Sequence, residues 1–161
     1  MLKGLTALLL WVLMVSCDGH TVISAYKPTD NGAWNKDSIM RFTFTDLDTV
    51  QPYNMFIHIR NDQTYPYSNL FLIAELGYPN GDVVRDTLEY EMASREGQWL
   101  GSGKGSLKEN KLWYKENVVF PSSGVYTLEL SHAMRKNGQV DGIVELEGIT
   151  DVGYQIEKSN P

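Results

Sequence analysis

No internal disulfide can form in this chain, because only Cys17 among its 161 residues carries a thiol. Histidine is scarce too. His20, His58 and His132 lie far apart, no two at the spacing of a zinc motif, and no further cysteine is there to complete a tetrahedral set. Nucleophile signatures are missing: there is no Gly-x-Ser-x-Gly, and Gly101-Ser102-Gly103-Lys104-Gly105 shares only its glycine content with a phosphate-binding loop. Positive charge is in deficit, with 14 Lys and Arg against 20 Asp and Glu. A net charge of −6 without basic clusters excludes the usual route to nucleic acid and a polybasic grip on anionic lipid. Long apolar runs and long helical faces are absent as well, and a permanent membrane span needs about 20 apolar residues.

The one apolar run present is short and N-terminal. Lys3 precedes Leu5-Thr6-Ala7-Leu8-Leu9-Leu10-Trp11-Val12-Leu13-Met14-Val15, then come the small Ser16 and Cys17, followed at once by Asp18-Gly19-His20. A charged start, an apolar middle and a small residue at the cut form a secretory signal. A lone cysteine directly after the cut resembles the lipobox of bacterial lipoproteins, in which that residue is acylated and becomes the mature N-terminus. The predicted organisation is a signal peptide over 1–16, a lipidated tether over 17–33 and one domain over 34–161. Processing leaves 145 residues, enough for a single domain that needs no metal or disulfide. The tether, about 15 residues, would reach on the order of 50 Å when extended. Val22, Ile23 and Tyr26 stand out within it as a candidate edge strand or staple.

From Ile39 onward, apolar residues alternate with period two between clusters of Gly, Pro, Asn and Asp. Met40, Phe42 and Phe44 are predicted to share an inward face, as are Met55, Ile57 and Ile59, and Val152, Tyr154 and Ile156. Residues 70–78 are nearly continuous in apolar side chains, which points to a strand covered on both faces or lying at the centre of a sheet. Pro79-Asn80-Gly81 is predicted to fold 82–92 back on them as a hairpin. By the same reasoning Pro121-Ser122-Ser123-Gly124 should make 112–120 and 126–131 antiparallel neighbours. Residues 97–105, with four glycines, read as a loop, and one helical turn is compatible with the region of Ala133. Seven to nine short strands predict an all-β fold: an antiparallel β-sandwich, jelly-roll or immunoglobulin-like.

Chemistry within the domain is sparse. Glu89 and Glu91 share one face of a predicted strand, as do Glu145 and Glu147, with Cα atoms about 6.6 Å apart. That spacing suits a glycosidase pair, but alternate Glu residues on an edge strand are more commonly solvent-facing. Asp46, Asp48, Asp30 and Asp82 read as turn formers, since none follows a calcium-loop pattern. No metal, cofactor or catalytic residue is expected. Aromatic residues are the remaining lead: Trp34 and Trp113 are expected to pack, whereas the Tyr65-Pro66-Tyr67 and Trp99-Leu100 loops are candidate contacts for a protein or sugar.

Asn69-Leu70-Phe71-Leu72-Ile73, Pro79-Asn80-Gly81, Asp86-Thr87-Leu88-Glu89-Tyr90-Glu91-Met92, Leu112-Trp113-Tyr114-Lys115-Glu116-Asn117-Val118, Ala133-Met134-Arg135-Lys136-Asn137-Gly138 and Leu146-Glu147-Gly148-Ile149-Thr150-Asp151-Val152-Gly153 follow one another in order. Together they resemble the GldH family of gliding-motility lipoproteins from Bacteroidetes. The resemblance implies a non-enzymatic envelope lipoprotein associated with gliding and type IX secretion, acylated at Cys17 and without catalytic residues or cofactors. It also implies partners among other gliding or secretion proteins of the envelope. Because the residues after Cys17 lack the acidic cluster that resembles a surface-export signal, the expected location is the outer membrane, lipid-anchored and facing the periplasm. A carbohydrate-binding module for peptidoglycan or an envelope glycan is the alternative reading.

Overall fold

A computed structural model describes residues 20–159; the signal segment and Cys17 lie outside the described residues. The chain forms ten strands: β1 (Thr21–Pro28), β2 (Ala33–Asn35), β3 (Met40–Phe44), β4 (Pro52–Asn61), β5 (Asn69–Gly77), β6 (Val83–Glu91), β7 (Lys108–Val119), β8 (Tyr126–His132), β9 (Glu145–Glu147) and β10 (Ile149–Lys158). No helix occurs among the described residues, and where a helical turn was expected Ala133 instead donates its N–H to the Phe71 carbonyl at 2.8 Å.

Pairing is nested and wholly antiparallel: β1 with β10, β2 with β9, β3 with β8, β4 with β7, β5 with β6. The domain is thus one long hairpin whose tip is Pro79-Asn80-Gly81, rolled so that β10 also meets β4 and β8 also meets β5. Rolling produces two four-stranded sheets, ordered β1-β10-β4-β7 and β3-β8-β5-β6, with β2-β9 as a short ribbon. Between the two architectures left open by the strand count, this nesting selects the jelly roll.

Alternation decides what fills the space between the sheets. Met40, Phe42 and Phe44 of β3, Met55, Ile57 and Ile59 of β4, and Val152, Tyr154 and Ile156 of β10 are all buried, as their period required. In β5, Leu70, Leu72, Ala74 and Leu76 are buried too, and the strand lies inside its sheet between β8 and β6. The hairpin turn closes as expected, with the Tyr78 N–H donating to the Asp82 carbonyl at 2.8 Å.

Two expectations need correction. Residues 17–33 are not simply tether: β1 takes up eight of them and pairs with β10 from Thr21↔Glu157 to Pro28↔Asp151. Val22, Ile23 and Tyr26 were its signal, and the ordered domain begins before residue 34. The second concerns 121–124. That turn does not make a hairpin but carries the chain from β7 in one sheet to β8 in the other. Phe120 enters the core before the turn and Tyr126 after it, their rings 4.9 Å apart, so the turn spans the thickness of the sandwich. A short polar turn looks the same in sequence whether it joins neighbours or facing layers.

Antiparallel pairing sorts the connections to two ends. The near end holds the start of β1, the end of β10 and three tight connections, 45–51, 78–82 and 120–125. The far end holds 62–68 and the two long connections, 92–107 and 133–144, together with the β2-β9 ribbon.

Candidate functional site

The far end gathers the aromatic loops that the sequence singled out. Asp62 begins a tight turn, its carboxylate accepting the Thr64 N–H at 2.8 Å and hydroxyl at 2.6 Å. Tyr65 follows, buried, and donates its hydroxyl to the Asn69 carbonyl at 2.6 Å. Burial pushes that hydroxyl well above the ordinary tyrosine range, so it stays a donor. Gly148 passes directly against this turn at φ +81°, where an added Cβ would lie 2.1 Å from the Tyr65 nitrogen. Only glycine fits both that backbone conformation and that contact.

Around Tyr65 the other aromatics assemble, Tyr67 at 5.8 Å and Trp99 at 6.1 Å between ring centroids. The Trp99 loop is held to the same turn, because Leu100 donates its N–H to the Met92 carbonyl and Met92 donates to that of Ser68. Of the four predicted contact residues, Tyr65 is therefore a keystone and not a contact. Tyr67 and Trp99 are half-buried, and Leu100 is 55% exposed. Beside them opens a groove of about 590 Å³, walled by Pro66 and Tyr67 on one side and by Lys136, Asp141, Glu145 and Glu147 among others on the rest. Three carboxylates against one lysine give it a negative field.

Both carboxylate pairs face solvent. Glu89 and Glu91 are exposed on β6, and Glu145 and Glu147 are exposed on β9, without the apolar enclosure a carboxyl needs to act as a general acid. Among the described residues no group of three His, Cys, Asp or Glu side chains is placed to hold a metal ion. His132 is buried with its ring 5.6 Å from that of Trp34. Trp34 packs in the core, as expected.

A second cluster was invisible in the sequence because Glu109 lies 49 to 83 residues from its partners. On the outer face of the β1-β10-β4-β7 sheet, Glu109 accepts a hydrogen bond from the Tyr26 hydroxyl at 2.6 Å and one from Arg60 Nε at 3.2 Å. His58 Nδ1 lies 3.0 Å from the same carboxylate. Burial works to raise the Glu109 carboxyl, but the hydrogen bonds from Tyr26, Arg60 and His58 and the guanidinium charge outweigh it, leaving Glu109 ionised. Burial lowers His58 despite Glu109, so the imidazole is neutral at pH 7. The hydrogen bonds through Glu109 make the cluster a strap: it ties β1 to β7 across two intervening strands.

Trp113 departs from expectation. It is 55% exposed on the same outer face, 4.4 Å from the ring of the buried Phe56. Trp113 pairs with Phe56 in the same alternation that pairs Lys111 with His58, so it shares their outward face, and the extra residue Tyr114 interrupts the ladder only after it.

A family model described as GldH lipoprotein matches residues 21–156, from the start of β1 to within β10. The gliding motility lipoprotein GldH homolog of Christiangramia forsetii is 53% identical over 149 residues, covering 92% of this chain and 91% of its own length. The gliding motility lipoprotein GldH of Flavobacterium johnsoniae is 42% identical over 153 residues, 95% of this chain and 94% of its own. Among solved structures, the infectious bursal disease virus VP2 subviral particle aligns with a TM-score of 0.37 at 14% identity, over 86% of this chain and 32% of the viral one. The chain belongs to the GldH family of lipoproteins.

Proposed function

We propose that this protein is a non-catalytic component or assembly factor of the gliding and type IX secretion machinery, held to the outer membrane by acyl chains on Cys17 and facing the periplasm. The relatives' role in gliding motility supports the machinery. The polarity of the fold supports the mode of action. Three residues separate Cys17 from Thr21, so the anchor holds the near end within about 14 Å of the bilayer, far less than a 15-residue tether would allow. Strands of eight to ten residues then raise the far-end loops by about 30 Å. A partner with an exposed basic segment meets the groove beside Tyr67, Trp99 and Leu100. The carrying observation is this separation of the entering chain at one end from the loops and groove at the other.

Two experiments test the reading. Cys17→Ala should leave the domain folded and release it from the membrane fraction, and a variant that stays membrane-bound would contradict the anchor. A photocrosslinking residue at Tyr67 or Leu100 should capture gliding or secretion proteins in cells. Capture of those proteins only from near-end positions, such as Val50, would overturn the far end as the docking site.

A further inference from the structure

The outer face of the β1-β10-β4-β7 sheet is more than a solvated surface. At its far-end half sits the Tyr26–Glu109–His58 strap, with the Arg60 guanidinium 4.3 Å above the Tyr26 ring. At its middle, Phe56 is buried beneath Trp113 on one side and Lys111, 4.2 Å from the ring centroid, on the other. Lys111 also reaches across to Glu157 at 2.5 Å and forms one wall of a shallow depression of about 370 Å³. Trp113 and this depression therefore share one face: Lys111, which lines the depression, packs on Phe56, and Phe56 packs on Trp113.

The depression is polar and built. Asn117 holds a positive φ of 50°, and its N–H donates to Asn54 Oδ1 at 3.0 Å. Its own carboxamide oxygen accepts the Ser159 hydroxyl. Both amides are thus fixed through their oxygens, and neither Nδ2 has a hydrogen-bond partner among the described residues, nor does the Glu116 carboxylate. Charge in the depression balances, Lys111 and Lys158 against Glu116 and Glu157.

We propose that this face binds a neutral oligosaccharide, a pyranose ring stacking on Trp113 while Asn54, Asn117 and Glu116 bond the hydroxyls or amides of the next unit. The C–H bonds on the flat side of a pyranose are weakly positive and meet the negative face of an indole. Fixed amides and a carboxylate answer its hydroxyls, which both donate and accept. Phe56, 4.4 Å away, fixes one side of the Trp113 ring, so little side-chain freedom is lost on binding. A protein anchor of the same kind would need a water-excluding apolar surround. Here the surround is amide, ammonium and carboxylate. The site is independent of the far-end groove and of the docking role proposed for it.

The test is saturation-transfer NMR on the full-length lipidated protein in detergent micelles, with chitotetraose, cellotetraose and maltotetraose as separate probes. At least one should bind with Kd about 1 mM, the range of a single stacked ring with a few hydrogen bonds. Trp113→Ala should abolish the signal, Trp113→Phe should retain part of it, Asn54→Leu should weaken it several-fold, and Leu100→Ala should leave it unchanged. Absence of transfer to all three probes, or transfer undiminished in Trp113→Ala, overturns the proposal. So does photocrosslinking from position 113 that captures a protein. Loss of far-end crosslinks with saccharide binding intact would defeat the docking role alone.

Discussion

At the end where the chain enters the sandwich, Tyr126 donates its hydroxyl to the Ser122 carbonyl at 2.7 Å; at the opposite end Tyr65 donates to Asn69 at 2.6 Å, also four residues away. Both tyrosines are buried, and each pins one connection to the core. The surroundings differ. Tyr126 lies among Phe44, Tyr78 and Phe120, with ring centroids 4.9 to 5.5 Å away, and its connections are five to seven residues long. Among the described residues the rings beside Tyr65 are those of Tyr67 and Trp99, under connections of up to sixteen residues, and a groove lies next to them. One device therefore supports two surfaces: among rings at the near end, where the hollow lined by Tyr126 is about 290 Å³, and under long loops at the far end, where the groove is about 590 Å³.

Substitutions at the two ends should break this comparison unequally. Phe120→Ala removes a buried ring from the near-end stack and should cost about 3–5 kcal/mol in denaturant unfolding. Gly148→Ala should cost about 3 kcal/mol through positive φ and the Tyr65 contact, and it should also lower far-end crosslinking yield.

Acid acts on the strap and the ribbon, not on the stack. His58 is lowered by burial, against the opposing pull of Glu109, with Lys111 adding to the lowering and Arg60 and Tyr26 also alongside. His132 is lowered by burial as well, with Trp34, Glu145 and Lys36 around it. A histidine depressed in the folded state binds fewer protons than in the unfolded chain, so stability falls as pH drops below about 6.5. Each contributes up to about 1.4 kcal/mol per pH unit between its two pKa values. Glu109, also depressed, adds its loss only at lower pH, as its carboxylate protonates. Unfolding titrations from pH 7 to 5 should show this slope, and His58→Gln should remove its share. The smallest effect is expected at Leu100, where Ala should shift stability by less than about 0.5 kcal/mol while reducing partner capture.

How far these ends could be read in advance depended on the range of the interactions. Period-two patterns exposed the inward faces of β3, β4 and β10, and Pro79-Asn80-Gly81 exposed the hairpin tip, because both signals are local. Nested pairing was hidden, since β1 meets β10 only after more than a hundred residues and a turn such as 121–124 does not state which layer it leads to. Aromatic loops were identifiable as features, but that Tyr65 would be covered by Gly148 and Trp99 depends on three distant segments meeting. Trp113 was misread as packing although it stands in alternation with Lys111 on the outward face, because a large aromatic ring in a strand was taken for core. Glu109 gave no signal, as its partners lie on two other strands.

The polarity of the anchored domain is tested most directly by depth measurement. In the lipidated protein on vesicles the proposed acyl chains would block Cys17, so one cysteine introduced at Val50 on the near end or at Leu100 on the far end would carry a fluorophore alone. Against a quencher confined to the bilayer surface, the label at position 50 should be strongly quenched and the label at position 100 hardly at all. Equal quenching, or the reverse order, would contradict the account.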